Sequence, residues 1–275
     1  NSCFPFKKGK NEMQALTALY SILFLFNSPT TTVHAPQPPS AHPSLVPVFF
    51  KSVLIKLRIV WFGSGLFNSK ILSLNKKSSG KVIWFDKDLD KLSNKELKDF
   101  RKKVQIIFQD PYGSLNPRMT IGNIICEPLN IFRTDLNKKE KMFRVLEIMD
   151  QVGLSNILYN RFPHELSGGQ CQRVGIARSI INNPSVLICD EPVSSLDLSV
   201  QSQILDLLNS LKEKLNLTMI FVSHDLSVVK SISDDVMVLK KGKIVEKNSV
   251  DNIFHHPTEE YTKELISSVP YPIPV

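Results

Sequence analysis

The chain has 275 residues, with 34 Lys plus Arg against 26 Asp plus Glu, 42% hydrophobic and 22% charged side chains. These are the proportions of an ordinary globular protein, and they exclude a collagen-like, disordered or multi-span membrane chain. The formal charge of +8 is concentrated at one end, because residues 1 to 62 hold six basic side chains and one acid while the other 213 residues net only +3. No basic stripe marks that longer part, so nothing in the composition calls for a nucleic-acid partner. Cys3, Cys126, Cys171 and Cys189 are widely spaced and form no CxxC pair, which argues for reduced thiols rather than a zinc site or a disulfide framework.

Residues 1 to 62 read differently from the rest. Lys7, Lys8 and Lys10 precede an apolar run from Ala15 to Phe26, and Val33-His34-Ala35 has a small-residue ending. Taken alone this has the form of a secretory signal. Six prolines between Pro29 and Pro47 predict an irregular linker. Leu45 to Phe62 is apolar but interrupted by Lys51, Lys56 and Arg58, so a surface strand or an interfacial helix is expected there rather than a spanning helix of ~20 apolar residues.

Beyond residue 80 the pattern becomes regular. Val82 to Phe85 and Val104 to Phe108 read as short strands, separated by a charged, helix-favouring stretch from Leu92 to Lys103. Asn137 followed three residues later by Glu140 resembles a capping box, and Met142, Val145, Leu146, Met149 and Val152 recur at helical spacing up to Gly153. Cys171 to Ile181 reads as a helix stopped by Pro184. Val186 to Cys189 and Met219 to Val222 are continuous apolar runs suited to parallel strands covered on both faces. Val200, Ile204, Leu207, Leu208 and Leu211 supply the apolar side of a crossover helix between them. The expected fold is α/β, with functional groups at the carboxyl ends of strands, where such sheets bind ligands.

The chemistry-bearing residues fall at those ends. Ser167-Gly168-Gly169-Gln170 opens the helix at Cys171. A serine and two glycines there expose backbone N–H groups at the positive end of the helix dipole, which is a device for holding phosphate. Asp190 and Glu191 end one apolar strand, where one carboxylate can hold Mg²⁺ and its neighbour can orient or deprotonate water. Asp197 follows in Ser194-Ser195-Leu196-Asp197, His224 ends the next strand, and Gln109 ends the strand at Phe108.

In that order and spacing the motifs resemble the ATP-binding subunits of ABC transporters. The resemblance covers about residues 66 to 275. It implies a P-loop NTPase-like ABC ATPase core over 63–275 and a helical subdomain, about 113–165, inserted between Q-loop and signature. By the same resemblance Gln109 is the Q-loop residue and a Mg²⁺ contact, Ser167, Gly168, Gly169 and Gln170 are the signature, and Asp190 is the Walker B metal contact. Glu191 is the catalytic base, Asp197 the D-loop residue and His224 the switch. Phe108-Gln109-Asp110-Pro111, Ser114 to Thr120, Cys189 to Ser194 and His256-Pro257 through Pro270 are similar to the subfamily serving oligopeptide, dipeptide and nickel importers. The implied cofactors are ATP and Mg²⁺. The implied partners are a second ABC ATPase subunit, membrane-spanning permease subunits and, indirectly, a solute-binding protein, at the cytoplasmic face of the membrane. Cys171 departs from the basic residue usual in the family.

The phosphate loop GxxxxGK[ST] has no copy. Gly-Lys occurs at Gly9-Lys10, Gly80-Lys81 and Gly242-Lys243, in no case with a glycine five residues earlier and Ser or Thr following. Gly63-Ser64-Gly65 looks like the first part of such a loop, without its Lys and hydroxyl residues. The change of composition near residue 62 leaves a second reading, a relic, regulatory subunit or gene fragment that supplies only the signature to a partner.

Overall fold

The computed structural model describes residues 79–240 and 243–268, together with the backbone of two strands at 23–26 and 58–62. The secretory-signal and linker expectations otherwise lie outside the described residues, as do Gly63, Ser64 and Gly65. The strands are β1 (Leu23–Phe26), β2 (Arg58–Phe62), β3 (Ser79–Trp84), β4 (Lys87–Asp88), β5 (Val104–Ile107), β6 (Val186–Asp190), β7 (Thr218–Ser223), β8 (Asp235–Lys240) and β9 (Lys243–Ser249). The helices are α1 (Asn94–Lys103), α2 (Ile121–Phe132), α3 (Lys138–Gln151), α4 (Gly168–Ile180), α5 (Leu198–Lys214), α6 (Leu226–Ile232), α7 (Val250–His255) and α8 (Glu260–Ser267).

A six-stranded sheet runs in the order β5-β6-β7-β1-β8-β9, and β2-β3-β4 form a smaller sheet. The parallel pairing expected from the apolar runs holds for β5, β6 and β7. It does not extend across the sheet: β1 is antiparallel to both β7 and β8, and β8 and β9 are an antiparallel pair. The small sheet is antiparallel throughout, and the strand expected around Leu45 to Phe62 is realised in its last five residues.

Strand alternation explains why β6 and β7 read as unbroken apolar runs. Val186, Ile188, Ile220 and Val222 face a cluster with Val82, Trp84 and Phe100 of β3 and α1. Leu187, Cys189 and Phe221 face the opposite cluster, which holds the buried sides of α2 to α7. With both faces covered, no position along either strand calls for a polar residue. The helical stretch between Gln109 and Ser167 contributes Ile121, Ile125, Leu129, Val145 and Met149 to that same second cluster. It therefore shares its core with the sheet.

Local chemistry sets the element ends. Ser93 with Glu96 and Asn137 with Glu140 form capping boxes on α1 and α3, the second as expected from sequence. Phe85 and Asp86 both take positive φ (49° and 60°) in the two-residue turn joining Trp84 to its partner Lys87, the signature of a type I′ hairpin. Burial pushes the Cys171 thiol up to about 11 and raises that of Cys189; with Cys126 these are free thiols.

Candidate nucleotide site

Because β5, β6 and β7 are parallel and in register, their carboxyl ends lie along one edge. Ile107 is level with Cys189, and Asp190 with Val222. The residues immediately beyond, Gln109, Asp190-Glu191 and Ser223-His224, are thus delivered to one place by topology alone.

Glu191 is the centre. It is 5% exposed, and a buried carboxylate needs partners. Gln109 donates from Nε2 to Glu191 Oε2 at 2.7 Å, and His224 Nδ1 lies 3.1 Å from Glu191 Oε1. The backbone of Glu191 is left-handed, with φ 45°, a conformation that costs a non-glycine residue about 1–3 kcal/mol. Three hydrogen bonds fix it: Glu191 N–H donates to Val222 O at 2.9 Å, and Ser194 donates to Glu191 O from N at 3.3 Å and from Oγ at 3.1 Å. The turn breaks the strand direction directly after Asp190 and leaves the side chain between the two neighbouring strand ends. The hydrogen bond to Glu191 is the main cause that raises the His224 imidazole above its usual range, against the opposing effect of burial.

The second half of the arrangement is the turn at Ser167. Its side chain accepts from Gln170 N at 3.3 Å while Gln170 Oε1 accepts from Ser167 N at 3.0 Å, a reciprocal cap at the start of α4. Ser167 is exposed, whereas Gly168 and Gly169 are half-buried. A Cβ on Gly169 would meet Val200 Cγ1 at 2.6 Å, so only glycine allows α4 to lie this close to α5. A Cβ on Gly168 would have Leu196 Cδ2 at 3.6 Å and Tyr112 Cε2 at 3.9 Å. Asp197 stands exposed at the start of α5 and caps it through its carbonyl, accepting from Gln201 N at 2.8 Å, with no side-chain cap. Gln109 and His224 therefore each bind one oxygen of Glu191, while Ser167 to Gln170 and Asp197 stand at the starts of α4 and α5.

Cys171, the family departure, is buried, and its Sγ lies 3.5 Å from Pro163 O. Residues not singled out in the sequence complete the site. Tyr112 Oη donates to Leu166 O at 3.1 Å, and Arg178 Nη1 to Ser114 O at 2.6 Å. The sequence signal for the first was present in Asp110-Pro111-Tyr112-Gly113, since Asp110 Oδ1 accepts from both Tyr112 N and Gly113 N at 3.0 Å in an Asx-type turn.

The ABC transporter family pattern matches residues 64–194. The oligopeptide transport ATP-binding protein OppF of Bacillus subtilis is 44% identical over 213 residues, which is 77% of this chain and 70% of that protein. The chain belongs to the ABC transporter ATP-binding family. OppF of Salmonella typhimurium is 49% identical over 212 residues, covering 77% of this chain, and the chain spans 64% of that relative's length. An ATP-binding cassette solved as a dimer in a post-hydrolysis state with ADP and Pi superposes with TM-score 0.59 and 30% identity over 66% of this chain and 80% of that one. The fold of such solved ABC cassettes is the fold of this chain. The matched range includes Gln109, Ser167 to Gln170 and Asp190-Glu191, and ends before Asp197 and His224.

Mg²⁺ is implied by the family, and the donor set is chemically suited to it. Asp190 offers a carboxylate and Gln109 an amide oxygen, both hard donors. Among the described residues no cluster of three or more His, Cys, Asp or Glu could hold a metal ion.

Proposed function

We propose that the chain is the ATP-binding subunit of a peptide-type ABC importer, acting as one half of a dimer whose nucleotide sites are composite. The observation that carries this reading is the buried Glu191 held between Gln109 and His224. Three strand ends converge there on a carboxylate poised to receive a proton from water. The relatives' printed names, oligopeptide and dipeptide transport ATP-binding proteins, support the solute class.

In this reading Glu191 orients and deprotonates the attacking water, and His224 holds the carboxylate in place through Oε1. Gln109 senses the same site through Oε2 and carries its state into the loop toward α2. Asp190 and Gln109 would hold Mg²⁺, which supplies neutralisation of charge on the transferred phosphoryl group. The exposed Ser167 hydroxyl and the free N–H groups at the start of α4 suit a phosphate presented by a partner subunit. A second ATPase subunit, permease subunits contacting the 113–165 stretch and peripheral attachment to the cytoplasmic membrane face complete the proposal. Among the described residues no helix is long and apolar enough to cross a membrane.

The incomplete Gly63-Ser64-Gly65 loop makes the two sites unequal: this chain's own phosphate loop is impaired, and its signature serves the partner's loop. Reconstitution with a partner ATPase and permeases tests this. ATP turnover that survives Glu191→Gln in this chain but is lost with Ser167→Arg is the expected outcome. Turnover abolished by Glu191→Gln and indifferent to Ser167→Arg overturns the asymmetry.

A further inference from the structure

The loop after Gln109 is tied at two points to the signature helix. Asp110 rigidifies its first turn by accepting from Tyr112 N and Gly113 N, both at 3.0 Å. Ser114 Oγ closes the next by donating to Pro111 O at 3.1 Å. From this stiffened loop Tyr112 Oη reaches Leu166 O at 3.1 Å, the carbonyl directly before Ser167, and its ring lies beside Gly168. At the far end Arg178, a guanidinium whose burial depresses its pKa, donates to Ser114 O at 2.6 Å. The approaches to the signature turn from the start of α5, Leu196 beside Gly168 and Val200 beside Gly169, are apolar contacts without directional bonds.

We infer that Tyr112 is a positioning residue: it transmits the state of the Gln109–Glu191 contact in this chain's own site to the Ser167 turn that, on the reading proposed above, completes the partner's site. A polar route of three links therefore joins the two sites of the dimer within one subunit, Glu191 to Gln109, Gln109 through the Asp110 turn to Tyr112, and Tyr112 to Leu166-Ser167. A phenol suits the role because its rigid ring spans the gap and its hydroxyl makes one directional bond to a main-chain carbonyl.

Amide hydrogen exchange in the full chain without nucleotide tests the link. The amides of Gln170 and Cys171, bonded to Ser167 Oγ and O, report opening of the signature turn. Tyr112→Phe removes only the hydroxyl and is expected to raise their exchange about three- to tenfold, the range of one net hydrogen bond. Gln109→Ala is expected to raise it comparably in the Tyr112 background and to add less than about twofold in the Tyr112→Phe background. An equal Gln109→Ala effect in both backgrounds overturns the inference. In the reconstituted transporter Tyr112→Phe is expected to lower kcat by about the same three- to tenfold with the KM for ATP unchanged, and a rise in KM at constant kcat overturns it too. A wild-type assembly without turnover would sink the proposed function, while the exchange experiment would still decide the role of Tyr112.

Discussion

Replacing Gly169 and Gly175 in turn by alanine makes the same chemical change at two positions of α4 and should shift stability in opposite directions. At Gly175, in the middle of the helix, an added Cβ meets nothing within 4 Å, so the methyl enters unfilled space. The gain is the ordinary helix-propensity difference, about 1 kcal/mol. At Gly169 the same atom would lie 2.6 Å from Val200 Cγ1. Valine on a helix is held to one strongly preferred χ1 rotamer, so the contact is relieved mainly by moving α5 away from α4. Overpacking of this kind costs about 1–3 kcal/mol, and the propensity gain is smaller at the helix start. The expected outcome is a urea midpoint raised by Gly175→Ala and lowered by Gly169→Ala, corresponding to about +1 and about −1 to −2 kcal/mol at constant m. Val200→Ala added to Gly169→Ala should recover part of the loss by removing the clashing methyl. Midpoints that move the same way for both glycines, or no recovery with Val200→Ala, would refute the close packing of α4 on α5 as the reason for glycine at 169.

The remaining predictions concern the ligand, the C-terminal region and pH. Two or three missing charge-assisted contacts, at about 1.5–3 kcal/mol each, weaken nucleotide binding by about 10²- to 10⁶-fold. Equilibrium dialysis should therefore find no micromolar ATP affinity for the isolated chain, and a micromolar Kd would show that the phosphate loop is intact in function. Glu246 is buried, yet hydrogen bonds from Thr258 N and Oγ1 at 2.8 Å and Glu259 N at 3.2 Å outweigh that burial and hold its carboxyl below the usual range. Its stabilising contribution is present above the unfolded carboxylate pKa and lost as pH falls through the lowered value. Glu246→Ala should cost about 2 kcal/mol and open residues 256–260 to limited proteolysis, and an unchanged digestion pattern would count against the clamp. The His224 pKa is raised from 6.5, so its contribution is full below that value and lost as pH rises through the folded pKa. Thermal melts of His224→Asn should lack this loss, and identical pH profiles would remove the imidazole from the account.

What the sequence disclosed follows from which forces are local. The ends of β5, β6 and β7, the cap at Asn137 and the helix after Gly169 were legible because period, caps and apolar runs are written in neighbouring residues. α2 was not, since Pro128 sits inside it and proline removes a helical donor; its six buried residues form a helix because α3, α4 and the turn at Tyr159 cover them. The hairpin of β8 and β9 escaped notice because β9 alternates only partly and carries Glu246 inward to serve α8. The antiparallel half of the sheet was equally hidden, since strand direction is set by connections and partners rather than composition. In the site, Gln109, Glu191 and His224 were readable by motif spacing. Tyr112 and Arg178 act by reaching main-chain carbonyls 54 and 64 residues away, and a carbonyl carries no sequence signature.

The chemistry of the Glu191 cluster also governs how a charge-removing substitution there must be understood. As a carboxylate, Glu191 accepts on both oxygens, from Gln109 and from the His224 ring, and still has lone pairs for a water. Glu191→Gln turns one of those acceptors into an NH₂ group. If the amide oxygen stays with Gln109, the nitrogen faces His224 Nδ1, which can accept only in the neutral imidazole protonated at Nε2. If the oxygen turns to His224, the Gln109 amide must flip so that its oxygen accepts from the new NH₂ group across the 2.7 Å now spanned by the Gln109 bond. The substitution thus leaves the Gln109 amide in its present orientation only when the imidazole is neutral, and it removes the leading cause of the raised His224 pKa. Because turnover is expected to survive the change, the effect of the substitution should be followed in thermal melts and compared with that of His224→Asn across pH. An equal loss of stability at low and high pH belongs to the lost carboxylate, whereas a loss that deepens as pH falls belongs to the disrupted contact with the imidazolium.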